Sequence, residues 1–103
     1  MTLGPVERAS VSWYGSAHHG GIMANGQRYD MGDPTTCASN DYALGARLVV
    51  AFEGRAVVCQ VRDRMAPGWH GAVDMSRAGF ARLAPLSRGR LNAVVSEVTP
   101  CQR

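Results

Sequence analysis

Three aspartates carry most of the chemistry that this sequence could perform. Asp63 stands in Val61-Arg62-Asp63-Arg64, between two arginines. It reads as a salt-bridged strand end, or as a carboxyl at the mouth of a barrel, pushed up by burial and down by its cationic neighbours. Asp30 closes Asn25-Gly26-Gln27-Arg28-Tyr29-Asp30, a setting in which an aspartate commonly bonds its own turn backbone. Asp74 lies just before a helix signal. A negative charge is favourable beside the positive end of a helix, and its loss there would cost ~0.3–1 kcal/mol. Paired carboxylates are the tools of glycoside cleavage, and carboxylates at turns are also ordinary. Trp13 and Tyr14 alternate faces of one strand, so one enters the core and the other is free to stack on a sugar ring. No Ser-His-Asp arrangement, nucleophile elbow, phosphate-binding loop or dinucleotide fingerprint is present. His18 and His19 are adjacent, His70 is isolated and the cysteines lack close spacing, so neither metal nor cofactor is expected.

The elements that must position these residues are short strands broken by glycine-rich turns. Val11 and Trp13 alternate with Ser10, Ser12 and Tyr14, which predicts a first strand. Residues 15–26 hold four of the twelve glycines and read as a long, ordered loop. Residues 47–52 and 55–63 are β-rich runs around Glu53-Gly54, a hairpin signal. In the second run Val57, Cys59, Val61 and Asp63 share one face, so an inward apolar row ends in a carboxylate. Residues 91–99 form a last strand, closed by Pro100. One helix is predicted, capped by Ser76, with Phe80, Leu83 and Ala84 on one face and Pro85 after its end. About six short strands and one short helix fit a small closed barrel better than a sandwich, because closure removes edges that so short a chain could not protect.

Composition bounds the rest. A chain of 103 residues, 46% of them apolar and 18% charged, is one domain with one core, spanning residues 1–103. The longest apolar run, from Leu48 to Phe52, is far short of the ~20 residues that a membrane-spanning helix needs. Residues 1–15 hold no basic stretch followed by an apolar one, so no secretory leader is expected within them. The net charge of +3 comes from scattered arginines, lysine being absent, which is too weak a footprint for nucleic acid. Cys37, Cys59 and Cys101 allow one disulfide and one free thiol in an oxidising compartment, with three pairings open.

Taken in order, several stretches resemble the RlpA-like double-psi β-barrel, the domain of the rare lipoprotein A family of bacterial cell-wall proteins. They are Ser12-Trp13-Tyr14-Gly15, His19-Gly20, Asn25-Gly26 with Tyr29-Asp30, Leu44-Gly45-Ala46-Arg47-Leu48, Val61-Arg62-Asp63-Arg64, and Val73-Asp74-Met75-Ser76 before Ala78. Order and spacing agree over residues 9–98. Expansins, barwin-like proteins and one group of endoglucanases look like relatives on the same barrel.

The resemblance implies an all-β, six-stranded double-psi barrel with one short α-helix. It implies lytic transglycosylation of peptidoglycan: a carboxylic acid protonates the glycosidic oxygen, and the sugar's own hydroxyl closes on the anomeric carbon to give an anhydro end. The family's first aspartate matches Asp63, although the triplet here is Asp63-Arg64-Met65, and its second matches Asp30; these two are the expected catalytic pair. Trp13, Tyr14, His19, Asn25, Gln27, Ser39 and Asp74 are the expected substrate-binding residues, and the counterpart of Asp74 in expansins and endoglucanases carries the acid. Two departures stand out. Gln27 replaces the usual Glu after Asn-Gly, and Ser39 replaces the usual His after Cys37-Ala38. An amide cannot donate a catalytic proton. Two functions therefore remain open, an Asp-dependent lytic transglycosylase and a non-catalytic module binding glycan or protein through the same groove. The implied setting is a monomer, extracytoplasmic or secreted, whose partner is the glycan strand rather than nucleic acid or membrane.

Overall fold

The computed structural model of the chain describes residues 2–99. Among them are seven strands, β1 (Thr2–Leu3), β2 (Glu7–Tyr14), β3 (Thr36–Ala38), β4 (Arg47–Phe52), β5 (Arg55–Asp63), β6 (Ala72–Ser76) and β7 (Arg90–Thr99). Helix α1 (Arg77–Ala81) follows β6, and a single 3-10 turn, Leu86–Arg88, precedes β7. Strands β2 to β7 close in the order β2-β6-β3-β5-β4-β7, with β7 returning to β2, so the expected six-stranded barrel with one short helix is the fold observed. Strand β1 adds no stave. It continues the line of β2 along the same edge of β7, pairing Thr2 with Thr99 and Leu3 with Val98. The Thr2 and Thr99 hydroxyls meet at 2.6 Å.

Period-two alternation builds the core. Leu48 and Val50 of β4, Val57, Cys59 and Val61 of β5, and Leu91, Ala93 and Val95 of β7 all point inward and are buried. Val11 of β2 and Val73 and Met75 of β6 complete the ring. Phe80, Leu83 and Ala84 from the helical segment join the same cluster. Ser76 caps α1, its Oγ accepting from Gly79 N at 3.1 Å. The β4–β5 hairpin turns through Glu53 and Gly54, both left-handed at φ 48° and 79°, which is the mirror-image turn that matches strand twist.

Three details depart from the sequence reading. The first long strand starts at Glu7, ahead of the alternation that announced it. Two joins, β2–β6 and β3–β5, are parallel, and no local pattern marked β3 or β6. Asp74 lies inside β6, two residues before the cap, and no acidic side chain occupies the first turn of α1. The helix-end role expected for Asp74 is therefore wrong: its carboxyl bonds across the strand pair instead. Cys37 and Cys59, on neighbouring strands with Cα atoms 5.8 Å apart, form a disulfide. Cys101 and Pro100 lie outside the described residues.

Candidate functional site

The parallel join of β2 and β6 places Ser12 opposite Asp74 and Tyr14 opposite Ser76. Since Val11, Val73 and Met75 face inward, Ser12, Tyr14 and Asp74 face outward, onto the floor of a groove of about 760 Å³. Asp63, at the end of β5, lines the same groove. Ser12 Oγ donates to Asp74 Oδ1 at 3.0 Å, a contact between residues 62 positions apart in sequence.

The glycine-rich segment after β2 forms one wall. It is an ordered miniature hairpin, held by Gly20 N to Tyr29 O, Tyr29 N to Gly21 O and Met23 N to Gln27 O, each 2.8 Å. Gly15 lets the chain leave β2, because a Cβ there would meet the Trp13 ring at 2.7 Å. Asp63 ties the wall to the barrel, its Oδ1 accepting from Ala24 N and Arg64 N at 2.9 Å each. Tyr29 is buried and stacks on Tyr14 with ring centroids 4.0 Å apart. Its hydroxyl donates to Tyr14 O and accepts from Arg77 N, so one phenol joins the end of β2 to the start of α1. His18 meets the Tyr14 ring edge-on.

The facing wall is the strap of residues 64–71. Asn40 holds its first half, accepting from Met65 N at 3.0 Å and donating to Ala66 O at 2.8 Å. Asp41 holds its second half through Gly71 N at 2.8 Å and His70 Nδ1 at 2.7 Å. Between these anchors Trp69 stands at the groove with Arg90 over its ring, 5.5 Å from the centroid.

The two groove carboxylates differ in their surroundings. Burial lifts the Asp74 carboxyl above the ordinary carboxylate value, and the charge of Asp63 adds to the lift. The Ser12 hydroxyl, His18 and Arg90 pull the other way without cancelling it. Burial first, then the charge of Asp63, pushes the Tyr14 phenol far upward, and burial takes Tyr29 up to about 12. Both phenols therefore stay protonated donors. A carboxyl lifted by burial, a second carboxyl and the Tyr14 phenol on one open groove are the groups to polarise and protonate an ether oxygen.

Of the residues expected from sequence, Tyr14, His19, Asp63 and Asp74 line this groove. The others are placed elsewhere. Asp30 is exposed, its Oδ1 accepting from Gly32 N at 2.9 Å, so it caps its own turn. Asn25 and Gln27 bond one another on the outer side of the hairpin, Nδ2 to Oε1 at 2.8 Å. Trp13 is the inward partner of the Trp13-Tyr14 pair, tilted against Phe80 with Nε1 donating to Leu86 O at 3.1 Å. Ser39 is fully buried and accepts from Asp41 N. Neither arginine beside Asp63 pairs with it among the described residues. Arg62 reaches Asp33 at 3.5 Å, and Arg64 donates to the carbonyls of Ser39 and Tyr42. Sequence reasoning missed Ser12, His18, Tyr29, Trp69 and Arg90 as groove residues. Ser12 shares the face of Tyr14 by the two-residue period, a signal that was present; His18, Tyr29 and Trp69 depend on loop closure, and Arg90 on the pairing of β7 with β2, which sets it opposite Ser12.

No protein-family model matches the chain. The chain is 30% identical over 95 residues, 90% of its length, to the endolytic peptidoglycan transglycosylase RlpA of Pseudomonas aeruginosa. It is 38% identical over 50 residues, 48% of its length, to the papain inhibitor of Streptomyces mobaraensis. The chain spans 28% of the first protein and 35% of the second, well under half of either. An uncharacterized protein of Synechocystis sp. is 32% identical over 91 residues, covering 86% of this chain and 96% of that one. Among solved structures, Streptomyces papain inhibitor superposes with a TM-score of 0.73 at 26% identity, over 92% of this chain and 94% of that one. The expansin of Clavibacter michiganensis superposes with a TM-score of 0.75 at 21% identity, over 95% of this chain and 53% of that one.

Proposed function

We propose that this chain, which belongs to the RlpA-like double-psi β-barrel family, binds a peptidoglycan glycan strand in the groove over Ser12, Tyr14 and Asp74 and cleaves it as a lytic transglycosylase. The observation that carries the reading is a pair of carboxyls on one groove, Asp74 on its floor and Asp63 beside it. Asp74 is lifted by burial and by the charge of Asp63, and both line one open groove. We assign the acid to Asp74 rather than Asp63, and the partner to Asp63 rather than Asp30, which stands outside the groove lining. Asp74 gives its proton to the glycosidic oxygen as the anomeric C–O bond breaks. The sugar's own hydroxyl then closes on the anomeric carbon, and its proton returns to Asp74. Asp63 opposes the positive charge that develops on the ring. The internal nucleophile needs no separate water to be positioned. The buried disulfide suits an oxidising compartment and so an extracytoplasmic site of action.

A second reading is a binder that does not cut. It draws on Gln27 and Ser39, which stand where the family usually has Glu and His, and on the likeness to the papain inhibitor over nearly the whole chain. Incubation with purified peptidoglycan separates the two. Anhydro-sugar ends from the natural protein, falling by ~10²–10⁴-fold in Asp74→Asn with binding retained, support the acid. Binding without products supports the binder, and reducing ends mean hydrolysis. If Asp63→Asn is silent while Asp74→Asn still cuts, the acid is Asp63.

A further inference from the structure

We propose that Trp69 is a stacking platform for a pyranose ring, a glycan subsite on the strap wall beside the carboxylates; this rests on the glycan reading of the groove. Only two tryptophans occur in the chain, and they are used in opposite ways. Trp13 is spent on packing and bonded through its Nε1. Trp69 is 45% exposed, at the groove, on a loop. A large aromatic left in water loses the burial that usually stabilises it, unless a partner covers it.

The loop around Trp69 is built to keep it there. Asn40 and Asp41, adjacent in sequence, make two bonds each to the strap, one residue pair on either side of the indole. Arg90 backs one face of the ring, and its Nη1 is itself fixed by Ser10 Oγ at 2.9 Å. One face of the indole is thus occupied and its position set before any ligand arrives, which lowers the ordering cost of binding. The remaining face suits a flat ligand with an apolar side. The C–H face of a pyranose has that character, and the groove running from Trp69 to Asp63 and Asp74 has room for more than one ring.

The test uses soluble glycan-strand fragments prepared from purified peptidoglycan, with Trp69→Ala and Trp69→Phe beside the natural protein. Trp13 is partly buried, tilted against Phe80 and outside the groove lining, so the indole emission that responds to ligand should come from Trp69. The expected result is an emission shift in the natural protein, absent from Trp69→Phe. Affinity should fall on the order of tenfold or more in Trp69→Ala and be partly kept in Trp69→Phe. Equal melting temperatures exclude misfolding, since the side chain lies outside the core. If Trp69→Ala binds the fragments as tightly as the natural protein does, the platform is overturned and the glycan reading survives. If the natural protein binds no fragment, both fall. If the indole answers to a papain-type protease and not to glycan, the subsite belongs to a protein partner and the platform is likewise overturned.

Discussion

The β4–β5 hairpin and the β2–β6 pair are the two kinds of join in this barrel, and they do different work. The hairpin turns in two residues, and its inward row, Leu48, Val50, Val57, Cys59 and Val61, is apolar or sulfur until Asp63 at the tip of β5. Its outward row, including Val58, carries no titratable group of the groove. The parallel pair cannot be closed by a turn, so most of the chain intervenes between its strands. That intervening chain supplies the groove walls, and the pair's outward row supplies Ser12, Tyr14 and Asp74. Most of the inward apolar row lies where the chain returns at once, and most of the outward polar row under the groove lies where it returns late.

Replacing Cys37 and Cys59 together by Ala should have the largest effect on stability. The bridge closes a separation of 22 residues, so about 3 kcal/mol should be lost in urea unfolding of the oxidised protein, within the usual range for such a loop. A loss below a few tenths would mean that the β3–β5 join stands on apolar packing alone. Thiol counting of the unreduced, denatured natural protein should find one reactive cysteine of the three.

On the parallel side the effects should appear in pH dependence. Ser12→Ala removes a hydrogen bond that favours the charged form of Asp74, so the carboxyl should rise further. If Asp74 is the acid, activity falls as pH rises through its value. The falling limb of the rate profile should therefore move to higher pH in Ser12→Ala. An unmoved limb would detach Asp74 from the chemistry.

The smallest expected effect has an informative sign. The fold holds the Asp74 proton more tightly than the unfolded chain does, so the associated stability is complete below the ordinary value of 3.8 and is lost as pH rises through the raised value. Ionised Asp74 is then a cost above that raised value. Asp74→Asn should melt no lower than the natural protein at pH 7, and the difference should shrink toward pH 3. A helix-end charge, as first expected from sequence, would give a loss of ~0.3–1 kcal/mol instead.

The same division explains what could be read from the chain. The hairpin, the inward row and the Ser76 cap are written in neighbouring residues, where periodicity and turn chemistry act. Strands β3 and β6 are short and buried throughout or nearly so, which removes the alternation that marks a strand. Asp30 and Asp74 were not equally legible for a related reason. Each has a plausible local partner; Asp30 keeps its own turn, while parallel pairing brings Asp74 to Ser12 instead of the helix end. Trp69 had no neighbouring signal at all, since its anchors lie on the separate turn at residues 40 and 41.

The pairing of Thr2 with Thr99 brings the entrance and exit of the barrel within one hydrogen bond of each other. A domain whose two ends emerge together can be set into a surface loop of another protein without stretching the host, as a bead is hung from a single knot. The geometry of the groove is then independent of where in a longer polypeptide such a domain is hung. Tension applied through both ends would peel β1 from β7 one rung at a time before it reached the six staves that carry the carboxylates.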